Sequence, residues 1–341
     1  MKSKMKTVWK IIGLIVLVGI VLTITGLLLG ASRTLYLERT GVYISGNEVS
    51  IVEESDLEAF RDINIDVSFS DIEFLRSDTF GIELYGENLE WEWVLGDGGL
   101  LITDNRRPGI QILQFDFFQK QQNYVKIYLP ENTVLHSVSA KTGSGNIRLD
   151  SFNVSGLTQI SNSFGNVDIE NMVTGAMHIE LGSGRFTGSN LDVFYLMYNN
   201  RFGSGHFQNV RANGFTADTS SGDMQFTNCT FASPVIVNNF GKISATEFTV
   251  SNPNIRVNSG NINIAGDISG KVLIHNEFGD IKLTTSKARS DFSYDVSLKF
   301  GRITFDGERL RDQTSIISGS IQENHIKITS SSGDVEVNFG S

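Results

Sequence analysis

The apolar positions of this chain change rhythm twice. Residues 8–29 form an apolar run, and 11–29 carry no charged side chain, close to the ~20 residues a helix needs to cross a bilayer core. From Ile63 the rhythm becomes alternation: Ile63, Ile65, Val67 and Phe69, then Ile72 and Phe74, then Ile82 and Leu84. Period two broken by turn residues predicts strands with one buried face. Trp91 and Trp93 alternate with Glu90, Glu92 and Val94, and Gly96-Asp97-Gly98-Gly99 turns the chain into the next strand. Residues 33–62 read as a connector, with a helical turn at 56–60.

Beyond Val125 the alternation is phased by glycine. Asn-x-Phe-Gly recurs as Asn162-Ser163-Phe164-Gly165, Asn200-Arg201-Phe202-Gly203, Asn238-Asn239-Phe240-Gly241 and Asn276-Glu277-Phe278-Gly279, each copy 38 residues after the last. Midway lie Ser144-Gly145, Ser183-Gly184, Ser221-Gly222 and Ser259-Gly260, so the phasing glycines recur every 19 residues after a first interval of 20. A fixed period in this range marks a solenoid. Second corners fall at Gly156, Gly175, Gly214 and Gly270. The predicted fold is an all-β parallel β-helix over 63–341, preceded by one transmembrane helix in 1–32. Past Gly279 the beat loosens, as end coils do.

Two closures fit. A 19-residue coil would alternate Phe and Ser layers in pairs. A 38-residue coil would stack Asn162, Asn200, Asn238 and Asn276 as an amide ladder and the four Phe as an aromatic stack. The two corners per 19 residues favour the shorter coil. In both, the Asn, Phe and Gly of the tetrapeptides are expected to hold coils together, so a charge at Phe240 should be severe.

Residues 103–123 fit no repeat. Arg106, Arg107, Phe115, Phe117 and Phe118 there read either as a cap over an open sheet edge or as an aromatic loop contacting a partner or membrane. With Trp91 and Trp93 they are the candidate partner contacts.

Composition sharpens this picture. Gly (34) and Phe (23) are plentiful and Pro (4) is rare, which suits many short strands. The single Cys229 excludes an internal disulfide framework and any multi-cysteine metal cluster. Net charge is −10. Lys2, Lys4, Lys6 and Lys10 are the only charges in 1–32, so the rest holds 24 Lys plus Arg against 38 Asp plus Glu, or −14. That argues against nucleic acid as a partner. Lysines ahead of the apolar run predict a signal-anchor in the cell membrane, single-pass, N-terminus cytoplasmic and the remainder extracytoplasmic. The competing reading is a signal peptide cleaved near Gly30-Ala31-Ser32.

Chemistry is sparse. His136, His178, His206, His275 and His325 share no grid position. Asp223, Asp280 and Asp334 follow repeat glycines, where Asn146, Asn166 and Asn261 stand in other coils; turn chemistry explains both residue types. No cluster of acids with a base, nucleophile motif, metal site or cofactor motif emerges.

Tyr124-Val125-Lys126-Ile127-Tyr128-Leu129-Pro130, then Val138 to Ile147, then serial Ser-Gly-Asp/Asn-Ile/Val units ending at Ser332-Gly333-Asp334-Val335 resemble a family of bacterial candidate adhesins of unknown function. The resemblance implies a β-helix tethered outside the membrane, with an adhesive, scaffolding or envelope-sensing role. Members occur beside Lia-type envelope-stress systems, and the family supplies no catalytic residue. The expected function is therefore a non-enzymatic binding or scaffold module meeting an envelope polymer or membrane protein. The alternative is a carbohydrate-active enzyme acting on cell-wall polymer.

Overall fold

The computed structural model describes residues 2–28, 34–38, 41–45, 49–87, 89–106, 110–114, 122–310, 315–318 and 323–340. One N-terminal helix, Lys2–Leu28, precedes an all-β body. Among the described residues no helix is long and apolar enough to cross a membrane.

The body is a parallel solenoid. Val167–Ser183 pairs with Phe186–Phe202, and that strand with Gly205–Ser221, in unbroken parallel register. Asn162 faces Leu181, and Leu181 faces Asn200. Asn162 and Asn200 are thus two rungs apart, and the step between neighbouring coils is 19 residues (181 − 162 and 200 − 181). Within a coil, pairing runs over 167–170, 172–174 and 176–181, giving three short faces separated by corners.

Alternation sends Val167, Ile169, Met172, Met177 and Ile179 inward, all buried. Successive coils add rows to one continuous core. At mid-stack the core becomes aromatic. Phe207 stacks on Phe226 at 5.0 Å and Phe215 on Phe231 at 4.5 Å. Room for these rings comes from small neighbours: a Cβ on Gly205 would lie 2.9 Å from the Tyr198 hydroxyl and 3.0 Å from Phe207.

Both ends are interleaved. The last coil, Asn324–Ser332 and Val335–Gly340, lies between Lys271–Ala288 and the earlier segments Phe292–Phe300 and Ile303–Phe305. At the other end Asp62–Val67 lies between Gly99–Arg106 and Ser137–Ser144. Antiparallel strands then cover the outermost edges. Leu89–Gly96 lies on Gly99–Arg106, Gly81–Glu87 on Tyr124–Pro130, and Glu308–Leu310 on Ile303–Phe305. Turned edges of this kind stop a parallel ladder from recruiting further strands.

Some expectations need correction. The connector at 33–62 holds strands Thr34–Glu38, Gly41–Ser45 and Val49–Glu54. Residues 56–60 form no helical turn, because Asp56 takes a left-handed φ of 57° and Phe60 drops into the core. Residues 103–106 belong to the ladder as the end of Gly99–Arg106, and Ile110–Gln114 pairs with Thr34–Glu38.

Candidate functional site

The phasing glycines form one corner along the stack. Their φ values lie between 127° and 151° from Gly145 to Gly279, a region only glycine adopts cheaply. The coils also close tightly here: a Cβ on Gly203 would sit 1.8 Å from the Gly184 carbonyl oxygen. This corner breaks the alternation just before it. Asn200 points in and is buried, while Arg201 and Phe202 both point out.

The Phe residues of the tetrapeptides are therefore not core. Phe164 is 64% exposed, Phe202 62%, Phe240 61% and Phe278 58%. Register carries the row on: Phe164, Ser183, Phe202, Ser221, Phe240, Ser259 and Phe278 face one another in turn, followed by Ser332 and the exposed Phe300. Ser70 stands in the glycine column, since its carbonyl lies against Gly145 as Gly145's lies against Gly165. Phe69 before it, also exposed, takes the same place. The result is an outward edge with an aromatic ring on every second coil.

The Asn residues of the same tetrapeptides do join coils. Asn162, Asn200, Asn238 and Asn276 are buried. Nδ2 of Asn162 donates to the Gly145 carbonyl at 2.8 Å, Asn238 to Gly222 at 3.0 Å and Asn276 to Gly260 at 3.0 Å. They form no ladder with one another, because Leu181, Thr219 and Val257 stand between them.

An amide ladder exists at a different corner, one the sequence reading missed. Asn171, Asn190, Asn209 and Asn228 take left-handed φ of 51–54°, which Asn tolerates better than most residues. Nδ2 of Asn190 donates to Asn171 Oδ1 at 2.8 Å, Asn209 to Asn190 at 2.9 Å and Asn228 to Asn209 at 2.8 Å. A shallow groove of about 380 Å³ runs along it. The signal was a second series of Asn at the same 19-residue interval, overshadowed by the glycines.

A further groove of about 370 Å³, beside Phe202, is lined by Glu180, Asn199, Arg201, Asp218 and Ser220. Glu180, Asn199 and Asp218 face one another on consecutive coils. Acids and a base thus do meet on one face, and the register, not any local motif, brings them together.

Other candidates resolve as follows. Trp91 and Trp93 are half-buried and pack against the core from the end strand. Arg106 closes that end ladder opposite Leu89. Arg107, Phe115, Phe117 and Phe118 lie outside the described residues. Asp223, Asp280 and Asp334 cap corners: Asp223 accepts from the Lys242 amide at 2.7 Å, Asp280 from Asp334 at 2.8 Å and Asp334 from Arg302 at 3.0 Å. His325 meets Ser293 at 2.8 Å. Among the described residues no group of three His, Cys, Asp or Glu is placed to hold a metal ion. Burial pushes the Cys229 thiol up to about 11, so the residue packs as a small hydrophobe.

The strand 124–130 carries one polar cluster. Glu83 accepts from the Tyr124 and Tyr128 hydroxyls, both at 2.6 Å, and from Lys126 at 3.1 Å. The Tyr124 hydrogen bond, first among these, holds the Glu83 carboxyl below its ordinary range. In return the bond from Glu83 pushes the Tyr124 hydroxyl up to about 12. The cluster is internally satisfied and ties the end cap to the first coil.

No curated protein matches the chain by sequence. Two solved structures are similar. One is a candidate adhesin from Bacteroides fragilis, at 12% identity and TM-score 0.38 over 85% of this chain and 97% of that one. The other is a candidate cell adhesion protein from Clostridium sporogenes, at 9% identity and TM-score 0.20 over 86% and 99%. Likenesses this loose carry no argument about function. The coil-by-coil architecture built above coincides with a match over residues 60–338, which spans almost the whole solenoid, and by that match the chain belongs to the Toastrack DUF4097 family.

Proposed function

We propose that this protein is a non-enzymatic, adhesin-like binding or scaffold module held at the bacterial cell envelope by its N-terminal helix. The observation that carries the reading is the exposed Phe edge: at least five rings on one line, each well over half exposed from Phe164 to Phe300. Large apolar side chains held exposed in a regular row, a serine between each pair, point to an interaction site rather than to packing. The anchor rests on the uncharged run 11–29 and on helix Lys2–Leu28, where Ile12, Leu14, Leu17 and Leu22 lie exposed. The link to envelope stress rests on the Lia-type resemblance.

The test incubates the full-length protein with peptidoglycan, teichoic acid and membranes. Retention without product is expected; failure to bind any of them overturns the reading. Mass spectrometry of the mature N-terminus tests the anchor, which a chain starting at Arg33 would sink.

The groove with Glu180, Asp218 and Arg201 favours a second reading, cleavage of a cell-wall glycan by paired carboxylates. New reducing ends that vanish in Glu180→Gln and Asp218→Asn would establish it and displace the first.

A further inference from the structure

We propose that the Phe edge binds an extended, uncharged 1,4-β-linked glycan strand, with successive rings stacking on every second sugar. This deepens the envelope-binding reading and rests on it.

Spacing is the first argument. A ring on every second coil recurs about every 9.6 Å, twice the strand separation. In an extended 1,4-β-linked glycan each sugar is flipped relative to the last, so a given face returns once per disaccharide, over a length that matches this spacing. The intervening Ser221 and Ser259 are small and half-buried, which leaves clearance for the flipped sugars. Phe164, Phe202, Phe240, Phe278 and Phe300 each stand two coils from the next, with a serine coil between. Each keeps apolar surface for a ligand.

Shape and charge are the second. The row is one side chain wide, with the glycine column on one flank. A protein interface of ordinary size needs about 800 Å² per partner, and so narrow a row suits a linear polymer better. From Phe164 to Phe300 it covers eight coil steps, or about 38 Å, enough for four disaccharides. Its flanks mix Asn166, Asp223, Lys242 and Asn261 beyond the glycines with Arg201, Asn239 and Glu277 before the rings. Amides and paired signs serve hydroxyl groups. A net charge of −10 opposes a polyanion such as teichoic acid.

The experiment measures binding of the full-length protein to soluble chitin oligomers from disaccharide to decasaccharide, to insoluble chitin, to sacculi stripped of teichoic acid and to purified teichoic acid. Affinity is expected to rise with each added disaccharide and to extend to both insoluble polymers. The triple variant Phe202→Ser/Phe240→Ser/Phe278→Ser should lose at least about tenfold with an unchanged melting temperature. A second variant, Ser221→Phe/Phe240→Ser, keeps the number of rings and moves one off the beat; it should lose affinity as well. Equal binding by that shifted variant overturns the proposal. So does sacculus binding that ignores all Phe substitutions, which leaves the envelope module standing and places its site elsewhere. Phe-dependent retention on teichoic acid alone also overturns the glycan while keeping the module. Retention on no polymer removes the glycan site, and if the membranes of the envelope test above also fail to retain the protein, the module falls too.

Discussion

One residue separates the Asn column from the Phe column in sequence, and the wall of the solenoid separates them in space. Asn238 is buried and bonds back to the Gly222 carbonyl, while Phe240 stands 61% exposed. The polar residue is inside and the aromatic one outside, the reverse of what hydrophobicity alone assigns. The cause is the corner. A glycine at φ near 140° ends the alternation one residue early, so two side chains in a row point outward. The buried Asn is held on its donor side, where Nδ2 donates to the Gly222 carbonyl of the neighbouring coil. Regularity therefore serves two ends here: the inner column joins neighbouring coils, and the outer one displays a surface.

The sharpest way to break that arrangement is at the corner. Gly203→Ala should destabilise by about 3 kcal/mol or more, since left-handed strain adds to a clash with backbone; denaturant unfolding reads it, and a loss no larger than at an exposed site would refute the stacked corner. Next comes the amide ladder. Asn209→Ala gives up a left-handed-tolerant residue and two hydrogen bonds, for roughly 2 kcal/mol. Asn238→Ala on the inner wall should cost about 1–3 kcal/mol, because it removes a buried side chain's bond to the part-buried Gly222 carbonyl. These last two differ in kind. Asn209→Gly should recover part of the loss by restoring φ, whereas Asn238→Gly should not.

Smaller still is the end cap. Glu83 titrates lower in the folded chain than in the unfolded one, so its stabilisation is full above its unfolded pKa and is lost as pH falls through the folded value. Glu83→Gln should flatten the acid limb of the stability curve relative to wild type, and an unchanged limb would show that the tyrosines hold no carboxylate. The smallest effect is the most telling. Phe240→Asp should change melting by no more than a surface substitution, within about 0.5 kcal/mol, although the pattern of the chain predicts severe loss there. A large loss would return Phe240 to the core.

Much of the fold was legible because glycine is. A residue needed for positive φ at every coil writes its period into the sequence, and alternation between glycines names the inward Ile, Val and Met rows. Less visible were positions whose fate depends on the corner. Phe164 and Phe207 look alike in the chain, yet one projects and the other stacks on Phe226. The interleaved ends were also hidden: intervals of 22 and 32 from Gly279 to Gly301 to Gly333 signal irregularity without revealing that the last coil slots between two earlier ones. The groove at Glu180 and Asp218 was visible only as a 38-residue interval with no local signature.

By itself the sequence determined the all-β solenoid, its 19-residue beat and the identity of the corner glycines, because steric limits on φ and the period-two pleat act locally and leave local marks. Tertiary structure alone decided which of two equally regular columns faces water. It also decided which Asn series forms the ladder and how the ends close. Those outcomes depend on the direction in which each corner turns the chain and on which coil lies beside it, and neither is carried by any one stretch of residues.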